Sequence, residues 1–291
     1  MKKRSMGDRI FDAIVYAILV VVFLIVFFPL MYVVSTSFAS ARELALNKFL
    51  IFPKHPTLEV YQYIFSTSTF LRSMIVTIVI TVVGTLVNLV MTCLMAYPLS
   101  RKALPGRSVI MTAVTFTLVF SGGMIPMYLV VNSLGLIDTY TSLILPGAIS
   151  SFNLILVKNF FQEIPESLID AAQIDGSSEM NTLAKIVLPL SKPALATFTM
   201  FYAVGHWNQF MQPLLYLNDS KKWTIQILLR QIVLMSQSGV GDEDAMPPGF
   251  VLPVKSLKMA CIVVSTLPII AAYPFMQKYF DKGVMSGSIK G

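Results

Sequence analysis

Six long uncharged stretches, at 13–34, 73–100, 108–131, 139–157, 193–217 and 259–277, alternate with segments that hold all of the Asp, Glu, Lys and Arg. Each is long enough, as a helix rising about 1.5 Å per residue, to approach or cross the ~30 Å hydrocarbon layer of a bilayer. The pattern predicts an all-α polytopic membrane protein with six transmembrane helices. Gly122, Gly123 and Pro126 in the third stretch permit a break or a close helix contact there. The first stretch continues through Phe27, Phe28, Pro29, Leu30 and Met31, with no small-residue cleavage site, so it is expected to remain as a span and not to be removed as a signal peptide.

One intervening segment is long, polar and patterned. Residues 158–192 hold Glu163, Glu166, Asp170, Asp175 and Glu179, five of the fifteen carboxylates of the chain. Pro165 suits a first helical turn, Glu166 and Asp170 favour its positive end, and Gly176 can adopt the left-handed backbone that ends it. Ser177 or Ser178 caps a second helix with Glu179 in its first turn, and Pro189 marks its expected end. Helix, glycine elbow and helix follow. Ile164, Leu168, Ile169 and Ala172 are expected on one apolar face, with Ala171 and Gly176 leaving little side-chain cover where a partner backbone could approach.

The remaining connections are less regular. Residues 35–72 form a mixed loop with turns at Phe52-Pro53 and His55-Pro56 and a short surface helix about Tyr61–Phe70. Arg101, Lys102 and Arg107 surround Pro105-Gly106 in a tight basic turn. Residues 221–258 form a second long loop with an acidic run, Asp242, Glu243 and Asp244, ahead of Pro247-Pro248. The tail 282–291, with Gly287 and Gly291, suits an extended insertion more than a helix. Six spans place both termini (with the segment 1–12), the basic turn and the segment 158–192 on one side. Lys and Arg are more numerous there, which makes it the cytoplasmic side.

Composition agrees with a bilayer setting: of 291 residues 55% are hydrophobic and 13% charged, against roughly 25% charged in soluble domains. The net charge of +7 is scattered between apolar runs and forms no patch, so nucleic acid is discounted. Cys93 and Cys261 lie within apolar stretches and read as small core residues. His55 and His206 have no paired-ligand spacing, so no metal is expected. No phosphate-cradling Gly-x-x-x-x-Gly-Lys-Ser/Thr segment occurs, which leaves any ATP, with its Mg, to another chain and this chain without a cofactor. No nucleophile and base or paired carboxylates occur in a span, so no catalytic residue is assigned and an enzyme is disfavoured. The absence of ionisable spans weighs against an ion-coupled secondary carrier, and no filter loop or charged ring supports a channel. These two remain the alternatives.

Asp170-Ala171-Ala172, then Gly176, then Ile186 with Leu188 and Pro189, resembles the EAA loop of ABC importer permeases, with Asp where that family has Glu. Ile125-Pro126-Met127-Tyr128, Leu134–Thr139, Leu145-Pro146, Asn159-Phe160-Phe161 and Trp207-Asn208 are similar to the carbohydrate-uptake branch, the relatives of the maltose system's smaller permease. Tyr273-Pro274-Phe275, Gln277–Phe280, Lys282-Gly283-Val284 and Ile289-Lys290-Gly291 resemble the complex-polysaccharide and alginate-type members. The resemblance implies a type I ABC importer permease fold in a bacterial inner membrane. It implies that Asp170, Ala171, Ala172, Asp175, Gly176, Ile186, Leu188 and Pro189 couple the chain to two cytoplasmic ATPase subunits. Its further partners would be a second permease, an extracytoplasmic sugar-binding protein and membrane lipid. For the oligosaccharide path, the aromatic and amide groups within spans point to Asn153, Tyr202, His206, Trp207 and Asn208, with packing as the competing role for each.

Overall fold

A computed structural model describes residues 6–46, 50–238 and 254–288, so the acidic run Asp242–Asp244, Pro247-Pro248 and Ile289–Gly291 lie outside the described residues. Among the described residues there is no strand. In chain order the helices are α1 (Met6–Ser37), α2 (Ala41–Leu46), α3 (Glu59–Ser66), α4 (Ser68–Ser100), α5 (Arg107–Val119), α6 (Met124–Ser133) and α7 (Ser151–Gln162). Then follow α8 (Glu166–Ile174), α9 (Glu179–Thr182), α10 (Leu188–Leu190), α11 (Lys192–Trp207), α12 (Met211–Tyr216), α13 (Ile225–Ser238) and α14 (Val254–Ser288).

The apolar runs take two forms. Met6–Ser37, Ser68–Ser100 and Val254–Pro274 are single helices long and apolar enough to cross a membrane. The other three runs are bent pairs: α5 and α6 turn through 117°, the 3₁₀ turns at Tyr140–Gly147 meet α7 at 53°, and Glu179–Leu190 meets α11 at 87°. Counting each pair as one span gives six. The break in the third run falls at its glycines, with Gly123 at φ +84°. The fifth run ends as a helix at Trp207, short of the expected 217, and resumes as α12. α4 begins at Ser68, so the expected Tyr61–Phe70 helix is replaced by α3 and the first turn of α4. α14 stays helical through Ser288, where the glycines of the tail suggested an extended chain.

The chain divides into two compact units. The first holds residues 1–70 and 229–267. None of the most apolar 18-residue window of α1 is buried, so that stretch offers its whole circumference to its surroundings, whereas Ser35, Thr36 and Ser37 at the end of the helix are buried. The connection after it is tied by side chains: Ser37 Oγ and Tyr61 Oη are 2.6 Å apart, and buried Glu43 accepts from the backbone N–H of Lys54 at 2.7 Å and of His55 at 3.0 Å. Ser256 Oγ donates to the Ala39 carbonyl at 2.7 Å, and Cys261 of the same helix is a buried, free thiol.

The second unit holds residues 71–228 and 268–291. Its main core packs Cys93, Ala96, Tyr97 and Leu99 of α4 against Val114 of α5, Leu154, Val157 and Phe161 of α7, and Phe198 and Tyr202 of α11. A smaller core gathers Val76, Ile80, Val131, Leu143, Tyr216 and Leu217. Next to it Asp138 adopts φ +59°, a left-handed conformation that Asp tolerates better than most residues. Its Oδ1 accepts from the backbone N–H of Asn218 and Asp219, and Lys222 Nζ donates to its Oδ2 at 2.5 Å.

These hydrogen bonds hold the Asp138 carboxyl below its ordinary value of 3.8, and the same contact raises Lys222 above 10.5. A depressed carboxylate contributes stability above its unfolded pKa and loses it as pH falls through the folded one. A raised lysine contributes below its unfolded pKa and loses it as pH rises through the folded one. The gap in thermal midpoint between wild type and Asp138→Asn is therefore expected to be constant from about pH 5 to 9, and to narrow below about pH 4. A gap that widens in acid would contradict this assignment.

Candidate functional site

α7 runs out at Gln162, and Pro165, at φ −55° and ψ 129°, stands just before α8 with its carbonyl accepting from the Leu168 N–H at 3.1 Å. α8 closes on Gly176 at φ +80°: the Gly176 N–H reaches the Gln173 carbonyl at 3.0 Å and the Ser177 N–H reaches the Ala172 carbonyl at 2.9 Å. Only glycine adopts this conformation without strain, which is why the elbow sits there. Ser178 then caps α9, accepting from the Asn181 N–H at 3.3 Å. Helicity continues past Thr182 as a π-helical stretch, Leu183–Val187, and through Pro189 in α10 before the chain bends at Ser191.

The two faces of α8 differ sharply. Ile169 is buried with Ile164 in the main core and Ala172, three residues on, is buried too, whereas Leu168 is 46% exposed and leaves the apolar face expected for it. Ala172 accordingly belongs to the inner side. Asp170, Ala171, Asp175 and Gly176 face outward, together with Ile174 at 87% exposure. Of the later residues Ile186 and Leu188 are half-buried and Pro189 is exposed.

Glu179 locks this element to the bundle, a role the sequence does not announce. Its Oε2 accepts from Tyr97 Oη of α4 at 2.5 Å and its Oε1 from Gln173 Nε2 of α8 at 2.7 Å. A carboxylate accepting from α4 and from α8 ties the elbow to the bundle through two charge-assisted hydrogen bonds.

The amide and aromatic residues expected along a path have separate surroundings. Asn153 is buried in the first turn of α7, and Tyr202 is buried with its Oη 2.7 Å from Thr92 Oγ1. Trp207 lines an apolar cavity of about 370 Å³ with Ile78, Met200, Ala203 and Tyr273. Asn208 is exposed and bonds back to the Val204 carbonyl at 3.0 Å. His206 packs inside: its Nε2 is 2.6 Å from Asn88 Oδ1. Asn88 is the centre of this contact, since its Nδ2 donates to the carbonyls of Gly147 at 2.6 Å and Ala148 at 3.0 Å, the backbone freed where the fourth run bends. With both amide hydrogens engaged, Asn88 is left with only its oxygen for His206, which puts a proton on Nε2. Gly84, one turn earlier, lets the imidazole approach: a Cβ there would lie 2.5 Å from His206 Nε2.

Residues 1–286 match the family described as the inner membrane component of binding-protein-dependent transport systems. The chain belongs to that family. It is similar over almost its whole length to two proteins of Bacillus subtilis (strain 168). One is the polygalacturonan/rhamnogalacturonan transport system permease protein YtcP, 50% identical over 286 residues that cover 98% of this chain and 100% of the relative. The other is Protein LplC, 53% identical over 285 residues, 98% of this chain and 96% of the relative. In solved structures, a chain of a bacterial ABC transporter involved in the import of the acidic polysaccharide alginate superposes with a TM-score of 0.90 at 31% identity, covering 96% of this chain and 100% of that one. The expected type I permease fold is thus the observed one, and the helix, elbow and helix described above belong to a membrane permease.

Proposed function

We propose that this permease is one of two membrane subunits of an ATP-driven, binding-protein-dependent importer of oligosaccharides, fragments of alginate, polygalacturonan or another complex polysaccharide among them. The similarity to the pectin-type and alginate-type transporters supports that cargo class. Two cytoplasmic ATPase subunits bind ATP and Mg, an extracytoplasmic sugar-binding protein delivers the cargo, and both termini of this chain are cytoplasmic.

The observation that carries the reading is the two-faced α8. A helix with Ile169 and Ala172 anchored inward, a carboxylate clamp at its elbow, and Asp170, Ala171, Ile174 and Asp175 outward is an apolar and acidic knob on a rigid mount. That shape fits a cleft with basic edges on an ATPase. ATP-driven closure of the ATPase pair would press the knob, and the Tyr97–Glu179–Gln173 contact would pass the motion to α4. Rigid elements joined at one docking point are what such two-state coupling requires.

The test is Ala171→Arg, which fills the outward face without touching the core. ATPase co-purification and uptake are expected to fall by about tenfold or more, because an interface rarely absorbs a long charge at its centre. Ala171→Ser should retain both. Unchanged coupling in Ala171→Arg would refute the docking role, and uptake that follows an imposed ion gradient without ATP would favour a secondary carrier.

A further inference from the structure

An open groove of about 630 Å³ runs along the outer face of α5 and is closed at one end by Lys158 of α7. Its volume lies within the range of ligand sites, roughly 300–1,000 Å³. The chemistry along it is graded. Arg107 and Lys158 sit at one end, Thr112 and Thr115 in the middle, and Phe116 and Phe120 beyond them, the two rings stacked with centroids 4.5 Å apart.

The cationic end is built and not incidental. Arg107 is aimed by its Nε–H, which donates to the Leu99 carbonyl at 2.8 Å. Lys158 is only 8% exposed and lines the same groove as Arg107. Among the described residues neither has a carboxylate within ion-pair distance. A buried ammonium beside a guanidinium is an arrangement that an arriving anion relieves, since a buried charge is tolerated only when compensated. Thr112 and Thr115 direct their hydroxyl hydrogens to the carbonyls of Ser108 and Met111, both at 2.9 Å, so their oxygens remain as acceptors for hydroxyl donors. Stacked aromatic rings beyond them offer apolar faces.

We propose that this groove is a passage subsite for uronic-acid oligosaccharides, in which Arg107 and Lys158 engage a sugar carboxylate while Thr112, Thr115 and the Phe116–Phe120 pair take the hydroxyls and ring face of neighbouring units. The proposal rests on the oligosaccharide-import reading above and assigns residues of this chain to the acidic units of the cargo. Arg presents a planar fork matched to a carboxylate and Lys a compact point charge, so the pair both orients and neutralises an acidic unit. Several uronates in one chain would meet the cations in turn as the cargo advances.

The test uses the complete complex in proteoliposomes with its binding protein, and two labelled cargoes of equal length: an oligogalacturonate and its carboxyl-reduced, neutral counterpart. In Lys158→Gln and Arg107→Gln, uptake of the oligogalacturonate at subsaturating concentration is expected to fall by about tenfold or more, and uptake of the neutral oligomer to stay within about twofold. Lys158→Arg should restore the acidic cargo. Co-purification of the other subunits reports that each variant is assembled. Equal losses for both cargoes, or no loss for either, overturns the subsite while leaving the importer reading intact. A deficit that follows the anionic-lipid content of the vesicles and ignores cargo charge overturns it too, by assigning the cations to lipid headgroups. Absence of ATP-dependent uptake of either oligosaccharide by wild type overturns the importer reading itself, and the subsite with it.

Discussion

Asn88→Leu is expected to be among the most damaging single changes in the bundle, although it replaces a polar residue in an apolar helix by a better lipid-phase residue. Asn88 is 1% exposed and supplies both donors to the bent fourth run, at Gly147 and Ala148, and an acceptor 2.6 Å from His206 Nε2. Its removal leaves two carbonyls unpaired and takes one partner from the His206 ring, and each buried group so stranded costs about 1–3 kcal/mol. A loss of about 4 kcal/mol or more follows, visible as a large drop in the thermal midpoint of the detergent-extracted protein. Asn88→Asp should be as harmful, because it keeps the acceptor for His206 but sets carboxylate oxygens against two carbonyls. His206→Ala removes a single partner and should cost markedly less. If His206→Ala proved the worse of the three, the contact would be centred on the wrong residue.

Gly84 yields the second large effect by sterics alone. A methyl group at this position would approach three atoms of the His206 ring at 2.5, 2.6 and 2.9 Å, so the ring must leave its contact with Asn88 or α4 and α11 must separate to admit it. Overpacking of this kind costs about 1–3 kcal/mol for a methyl, and Gly84→Val more than Gly84→Ala. The diagnostic is the combination: Gly84→Ala with His206→Ala should be less destabilised than the sum of the two singles, since the ring that clashes is gone. Additive losses would mean that the close approach does not decide the packing.

The elements written in local signals were legible in the sequence. Pro165, Gly176 and Ser178 act on their own backbones, so helix, elbow and helix emerged with nearly the observed bounds, and uncharged length alone marked α1, α4 and α14. Leu168 was misplaced because a helical wheel cannot say which of two neighbouring residues, 168 or 169, meets the core. Pro189 was expected to end its helix, yet a proline near the start of a helical turn lacks only a donor that the turn does not need, and the bend falls two residues later at Ser191. The contacts that hold the bundle were not legible. Glu179 meets a tyrosine 82 positions away and Asn88 a histidine 118 positions away, and neither spacing leaves a mark along the chain. His206 stood out as a polar group in an apolar run, but its partner looked like any other span residue.

The bent runs bear on how the protein is made. α5 has 13 residues and rises about 20 Å, less than the ~30 Å hydrocarbon layer, and α7 is shorter still. Such pieces are weak signals for entry into the bilayer, and each break exposes backbone groups that lipid cannot satisfy. Synthesis proceeds from the amino terminus, so Asn88 is made before Gly147 and Ala148, and the amide that satisfies the bent segment's carbonyls belongs to an earlier, longer and more strongly apolar helix.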